Sequence, residues 1–339
     1  MSNNGYYTFV DKVGDSIYHR FVDADGKRRN EVVKNFEYEL FLPDPNGSEV
    51  SLYGDKLSRH TFNSIYEMRD FVDGYKSYVK IFGNQSPVHQ FIAKTYPDEI
   101  NMTNSNYVVF NYDLEVEHSN GFPEPRHAQQ EILSISCKVF GQKERITFGT
   151  KKSKRKPHKD SVYIECTNER NMINKFLQHW QDISPDILTG WNTSGFDNPY
   201  LINRIKNIMD DSEVRRLSPF GSYTKSCLRL KDDGIVYEYT ILGVTCFDYI
   251  NLYKKYSPKK QESYKLDFVA NYELDSRKVD YSVWGGSLMR LYDGEYDIDP
   301  ETNPETIEVA HRYARLRTIM KKRTGRETWK YTSPKAEQS

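Results

Sequence analysis

The sequence predicts a chain in two parts: a β-rich α+β region at the front, followed by a mixed α/β layer fold. Residues 6 to 52 hold short aromatic and β-branched runs broken by turn chemistry, whereas residues 107 to 205 alternate strand-like with helix-like segments. The length of 339 residues suits about two domains of ~100 to 200 residues each. Lys plus Arg and Asp plus Glu balance at 48 each, so no overall field draws the chain to nucleic acid or membrane. Any basic binding surface has to be local. Charged residues reach 28% and mean hydropathy is -0.78, yet 26 Tyr, 17 Phe and 4 Trp supply the apolar area for a tyrosine-rich core.

The four cysteines, Cys137, Cys166, Cys227 and Cys246, form no CxxC pair or short Cys/His cluster, which argues against a disulfide framework or a zinc site. Met1 to Asp15 lacks a basic-then-apolar signal pattern, and no stretch approaches the ~20 apolar residues that cross a bilayer. A soluble, cytoplasmic chain with no membrane partner is expected.

In the front part, Tyr7 to Val13, Ile17 to Val22 and Phe36 to Leu42 read as an antiparallel meander, with turns at Asp25-Gly26 and Pro43 to Gly47. Ser64 and Glu67 form a capping-box pattern, and Ile65, Met68, Phe71, Val72 and Tyr75 recur at helical spacing after it. Nothing before residue 107 suggests catalysis. Beyond residue 105, strands are expected at Tyr107 to Glu117, Ile132 to Phe140, Val162 to Cys166 and Ile187 to Trp191. Helices are expected through Met172 to Trp180, from Asn198, at Tyr249 to Tyr256 and at Tyr264 to Tyr272. Tyr223 to Leu230 and Ile235 to Leu242 flank a Gly-bearing tip and predict a long hairpin. Lys151 to Asp160 holds six basic residues and one acid and reads as a solvated loop sooner than a phosphate contact. The segment after Asp297 is polar and basic, with a helix expected around Glu305 to Lys322.

Two stretches carry chemistry. In Tyr107 to Glu117 the even positions Val108, Phe110, Tyr112, Leu114 and Val116 are apolar, so period two places Asp113 and Glu115 together on the opposite face, Cα atoms ~7 Å apart. Paired carboxylates on a well-anchored strand repel unless a cation lies between them, and Mg²⁺ suits that arrangement. Taken alone, the pair reads more readily as the water-facing side of an edge strand. The second stretch, Thr189 to Ile205, is an apolar strand, a Gly-bearing turn and a helix start, with Asp197 where an N-cap belongs and Pro199 in the first turn.

Phe110-Asn-Tyr-Asp113-Leu-Glu115 and Trp191-Asn192-Thr-Ser-Gly195-Phe196-Asp197-Asn-Pro199-Tyr200 resemble the first two exonuclease motifs of family B DNA polymerases, most closely those of T4-like bacteriophages. Supporting stretches are Gly121 to Pro125, Asn168 to Arg170, Ser218 to Gly221 and Phe247 to Lys255. The resemblance implies a polymerase-type N-terminal domain over residues 1–104, a ribonuclease H-like 3'-5' exonuclease domain over 105–296, and a divergent charged tail over 297–339. It implies catalytic and metal-ligating roles for Asp113, Glu115 and Asp197, with two Mg²⁺ ions expected and Mn²⁺ admissible. DNA-binding roles are implied for Phe122, Asn192 and Phe196 and for Lys231 and Gly234 at the hairpin tip. The implied substrate is the single-stranded 3' end of primer-template DNA, in a phage protein acting in the cytoplasm of its bacterial host.

The resemblance also implies a third motif, a Tyr followed four residues later by an Asp on a helix. Here the chain runs Leu291-Tyr292-Asp293-Gly-Glu-Tyr296-Asp297-Ile-Asp299-Pro300, and neither Tyr292 nor Tyr313 has an acid four positions on. The palm, fingers and thumb of a polymerase are absent, so no DNA synthesis is expected from this chain alone. Four accounts fit: the front chain of a divided polymerase whose partner polypeptide completes the site, a truncated, inactive fragment that binds single-stranded nucleic acid or a polymerase partner, a stand-alone exonuclease whose site an acid near Asp297 completes, or a non-catalytic nucleic-acid binding module.

Overall fold

The computed structural model describes residues 5–100, 106–119, 121–152, 159–229, 235–279, 281–285, 288–293 and 295. The front part opens with β1 (Tyr6–Val13), β2 (Ser16–Val22) and β3 (Arg28–Val33), an antiparallel sheet in the order β1-β2-β3. Then come β4 (Tyr38–Pro43), β5 (Glu49–Val50) and β6 (Lys56–Phe62), which form a separate antiparallel sheet in the order β4-β6-β5. The expected single meander is therefore corrected. Arg28–Val33 supplies its third strand, and the Phe36 to Leu42 run belongs to the other sheet. β3 escaped the sequence reading because Arg28 to Glu31 are polar and its strand character comes from pairing with β2, not from a buried face.

Helix α1 (Ile65–Tyr75) starts as its capping pattern requires: the Ser64 hydroxyl accepts from the Glu67 N–H at 3.1 Å. The Glu67 carboxylate returns to Asn63 N–H, one residue before the cap. Ile65 and Met68 of α1 join Tyr38, Leu40 and Phe62 in a small core. Helix α2 (Pro87–Thr95) packs on β1 and β4. It had no counterpart in the sequence reading, although Ser86 caps it and Pro87 opens it.

The second part contains β7 (Val109–Val116), β8 (Ile132–Val139), β9 (Arg145–Gly149), β10 (Ser161–Glu165), α3 (Glu169–Ile183), β11 (Ile187–Gly190), α4 (Asp197–Ile208) and the short α5 (Asp211–Val214). It continues with the hairpin β12 (Tyr223–Arg229) and β13 (Ile235–Ile241), then β14 (Thr245–Asp248), α6 (Tyr249–Tyr256), α7 (Leu266–Leu274) and α8 (Leu288–Tyr292). Six strands form one mixed sheet in the order β10-β9-β8-β7-β11-β14. Strands β7, β11 and β14 run parallel, so their carboxyl ends emerge together. β7 is an interior strand, which removes the edge-strand reading of its acids. β9 and β14 had no counterpart among the expected strands and are defined by their pairing with β8, β10 and β11.

Period two holds along β7: Phe110, Tyr112, Leu114 and Val116 are buried. They share a core with Met172, Phe176 and Trp180 of α3 and with Tyr200, Leu201 and Ile205 of α4. The Trp180 indole N–H donates to the Leu217 carbonyl at 2.8 Å, which satisfies the polar end of a fully packed ring.

A buried ionic hub joins the two parts. The Arg20 guanidinium, on β2 and 1% exposed, donates to the carbonyls of Ser184, Pro185 and Gly243 and to the Ser184 hydroxyl. The fully buried Asp186 carboxylate lies 3.6 Å from Arg20, pairs with Arg28 at 2.7 Å and accepts from Val108 N–H at 2.8 Å. Removing one partner of such a network strands the other charges in the interior. Arg20→Ala should destabilise the chain by about 3 kcal/mol or more, read as a drop in the urea midpoint, with amide exchange of β1, β2 and β11 accelerating together.

Candidate active site

The site forms at the carboxyl ends of β7 and β11, where open α/β sheets place their crevice. Asp113 and Glu115 project from β7 on the face opposite the core, as their spacing requires. The β7–β8 register sets Ser136 opposite Asp113 and Ser134 opposite Glu115.

Asp197 arrives from the other direction. The chain leaves β11 at Gly190, where a Cβ would sit 2.0 Å from the Thr193 hydroxyl, so only glycine admits the close return of the turn. Asn192 takes a left-handed conformation with φ of 63°. Asp248, at the end of β14 and 5% exposed, clamps this turn: its carboxylate accepts from Asn192 N–H at 2.8 Å, Ser194 N–H at 3.0 Å and the Ser194 hydroxyl, and caps α6 through Ile250 N–H. Asp197 is not the N-cap that the sequence suggested. It is the first residue of α4, Phe196 precedes it without a side-chain cap, and its carboxylate reaches away from the helix to accept from Leu114 N–H at 3.1 Å. That bond sets the Asp197 carboxylate against the backbone link between Asp113 and Glu115.

Gathering these acids is electrostatically costly. Burial, and then the charge of Asp113, push the Asp197 carboxyl up to about 7. Desolvation raises Asp113, and desolvation followed by the Asp113 charge raises Glu115; nearby Lys278 offsets part of both shifts. Among the described residues no three His, Cys, Asp or Glu side chains close into a ready-made metal cage. The arrangement is an open, oxygen-only donor set whose negative charge Lys278 offsets only in part. A hard divalent cation that keeps part of its water shell fits it.

Phe122, 83% exposed, lies on the lip of the site with its ring 5.6 Å from that of Phe196, which stacks on Tyr200 at 5.5 Å. The loop carrying Phe122 is held to α4 by Asn203 Nδ2 donating to the Pro125 carbonyl and by Arg204, which donates to the Ala128 and Gln129 carbonyls and pairs with Glu169 at 2.6 Å. Asp113, Glu115 and Asp197 are thus brought together, Phe196 precedes Asp197 with Phe122 against its ring, and Asn192 lies in the turn that Asp248 holds. Lys231 and Gly234 lie outside the described residues, as do Lys154, Arg155 and Lys156 of the basic loop, the segment from Tyr296 to Pro300 and the tail from 297 onward.

Tyr292 and Asp248 were not legible as site residues. The Tyr292 hydroxyl lies 3.5 Å from the Ser134 hydroxyl, and burial followed by the Glu115 charge pushes its pKa far up. The adjacent Asp293 pairs with Lys151 at 2.8 Å, which holds α8 across the sheet. The sequence offered only a failed Tyr-x-x-x-Asp spacing at Tyr292, and Asp248 acts through partners 54 and 56 positions away.

The family-wide pattern described as DNA polymerase family B, exonuclease domain, matches residues 71–269. The chain belongs to that family. Its six-stranded mixed sheet with flanking helices is the ribonuclease H-like fold of family B exonuclease domains. The chain is 29% identical to the DNA-directed DNA polymerase of Escherichia phage RB69 over 321 residues, 86% of this chain and 35% of that protein. It is 28% identical to the DNA-directed DNA polymerase of Enterobacteria phage T4 over 301 residues, 81% of this chain and 33% of that protein. The DNA polymerase catalytic subunit of Saimiriine herpesvirus 2 is 28% identical over 197 residues, 52% of this chain and 18% of that protein. The family B exonuclease chain therefore spans about a third of the length of its phage relatives. No helix among its described residues is long and apolar enough to cross a membrane.

The raised Asp197 pKa has a measurable consequence. In the folded protein Asp197 holds its proton to about pH 7, whereas in the unfolded chain it releases it near the ordinary carboxylate value of 3.8. Between those limits the folded state binds one more proton at this position, so the contribution of Asp197 to stability is greatest below about pH 4, falls as pH rises to about 7 and stays low above it. At pH 8 in EDTA, Asp197→Asn should be more stable than the parent by about 2 to 4 kcal/mol, and the gain should vanish at pH 4. Millimolar Mg²⁺ at pH 8 should raise the Tm of the parent and leave the variant nearly unchanged.

Proposed function

We propose that this chain provides a 3'-5' exonuclease site that proofreads single-stranded DNA ends as the front part of a phage replicative DNA polymerase. The observation that carries the reading is the bond from Leu114 N–H to Asp197, which draws the third carboxylate onto the strand bearing Asp113 and Glu115. Residues 1–104 are assigned to an N-terminal domain, 105–296 to the exonuclease domain and 297–339 to a divergent tail.

Asp113, Glu115 and Asp197 would hold divalent cations, for which Mg²⁺ is the fitting choice and Mn²⁺ an acceptable one. Such ions supply activation of water and neutralisation of charge at the leaving 3' oxygen. Glu115 orients the attacking water by accepting its hydrogen bond. Phe122 and Phe196 stack on a base of the frayed strand, worth ~1 to 3 kcal/mol per base, and Asn192 lines the crevice beside them. Lys278 adds positive charge next to the acids, where a phosphate would otherwise be repelled. Lys231 and Gly234 are assigned to strand separation at the hairpin tip.

Three carboxylates leave two ions short of ligands, and no Tyr-x-x-x-Asp follows in this sequence. A separate C-terminal polymerase polypeptide therefore completes the site in this reading. The alternative, an inactive fragment that binds single strands or a polymerase, rests on the same missing motif. The two separate in one assay: the purified chain with a 3'-frayed primer in Mg²⁺, alone and mixed with a C-terminal polymerase chain from the same genome. Mixing should release mononucleotides, EDTA should stop the release, and Asp113→Ala should lower it at least ~100-fold. No release in either condition, or undiminished release by Asp113→Ala, overturns the proposal.

A further inference from the structure

The chain is neutral overall, so a nucleic acid strand must be steered by a local basic surface, and one adjoins the crevice. Between Tyr249 and Lys265 the sequence holds Lys254, Lys255, Lys259, Lys260 and Lys265 against the single acid Glu262. Helix α6, which begins this stretch, buries none of its residues. Its Tyr249 and Tyr256 are 56% and 70% exposed, an unusual allocation of aromatic area for a helix lying on a sheet end.

The position of α6 links it to the acids. α6 follows β14 directly, and β14 is two strands from β7 in the parallel set, so the base of α6 lies about 10 Å from the Asp113 strand at the same sheet end. Trp191, beside Asn192 in the site's own turn, has its ring 6.3 Å from Tyr249 and 5.9 Å from Tyr253. The Trp191 indole N–H donates to the Tyr264 carbonyl at 3.1 Å, which fixes the segment after α6 against the turn. Lys254 lies over the Tyr264 ring at 5.0 Å and Lys255 over Tyr256 at 5.2 Å, so ammonium groups and aromatic rings share this surface. Cations and aromatic faces together are what a single strand of any sequence needs: phosphates meet the charges and bases stack on the rings.

The neighbouring cavity excludes itself from that role. It measures about 790 Å³, is lined by Asp11, Glu238 and Asp248 and by Asn251 and Leu252 of α6, and has no Lys or Arg among its described lining residues.

We infer that the α6 face, from Trp191 through Tyr249 and Tyr256 to Lys260, is a sequence-independent track that holds the single strand whose 3' end enters the acidic crevice. This rests on the nuclease reading for where the strand terminates and adds the surface that supplies affinity. The three crevice acids repel phosphates, so most strand affinity comes from α6 and its following loop, outside the chemical site.

The test uses the full chain in EDTA, so that no strand is cleaved, with fluorescein-labelled dT3 and dT12 followed by anisotropy from 50 to 200 mM KCl. The surface variant changes Lys254, Lys255, Lys259 and Lys260 together to Gln; Tyr256→Ala is the second, uncharged probe. The parent should bind dT12 well above dT3. The lysine variant should lose at least ~10-fold in dT12 affinity at 50 mM KCl, with a log–log salt slope shallower by about 2 to 3, and keep the parent's dT3 affinity. Tyr256→Ala should weaken dT12 about 5-fold or more with its salt slope unchanged. Parental dT12 affinity and slope in the lysine variant overturn the track and leave the nuclease reading standing. The same result with lost capture of the C-terminal polymerase chain overturns it in favour of a protein contact. A parent that binds neither oligonucleotide overturns the track and the nuclease reading together.

Discussion

Asp186 is the constraint on which the rest of the molecule depends. Its carboxylate accepts from Val108 N–H, its backbone N–H donates to the Val108 carbonyl, and its own carbonyl accepts from Thr245 N–H. One buried residue thereby sets the starting positions of β7, β11 and β14, the three parallel strands whose far ends carry the crevice. Arg20 and Arg28, from the front sheet, supply the positive charge that makes a fully buried carboxylate tolerable. The front region is thus part of the electrostatic support of the second, not an independent appendage.

At the other end of the same strands the electrostatics are left unbalanced. Asp186 has arginines; Asp113 and Glu115 have only partial offsets, from Lys278 and, for Glu115, His118, while the charges of Asp113 and Asp248 raise Asp197 further. Asp248 spends its hydrogen-bonding capacity on the turn that delivers Asp197. The fold is therefore stabilised where charges are paired and carries local repulsion where Asp113, Glu115 and Asp197 meet. This separation explains how a strained acidic cluster is tolerated within a family B exonuclease chain.

The same end of the sheet separates an acidic cluster from a basic, aromatic surface. The crevice is acidic and lined by a few aromatic side chains, while the lysines and exposed tyrosines gather on α6 and the loop after it. Trp191 connects the two by lying in the turn of one and against the rings of the other. An acid cluster cannot itself attract a polyanion, so a neighbouring basic surface answers a physical requirement of the site.

The amino-acid sequence by itself determined what depends on neighbours along the chain. The period-two pattern of Phe110 to Val116 set Asp113 and Glu115 on one face, the Ser64 cap marked a helix start, and two motifs sufficed for the family. Tertiary structure alone decided what depends on distant partners. Arg28 to Val33 became a strand only through β2, β9 and β14 emerged only through pairing with β8, β10 and β11, and Asp197 left its expected cap position for the backbone of Leu114. Arg20, Asp186, Asp248 and Tyr292 look like ordinary polar residues in sequence. Their roles arise from contacts made across 54 to 223 positions, which no local pattern encodes.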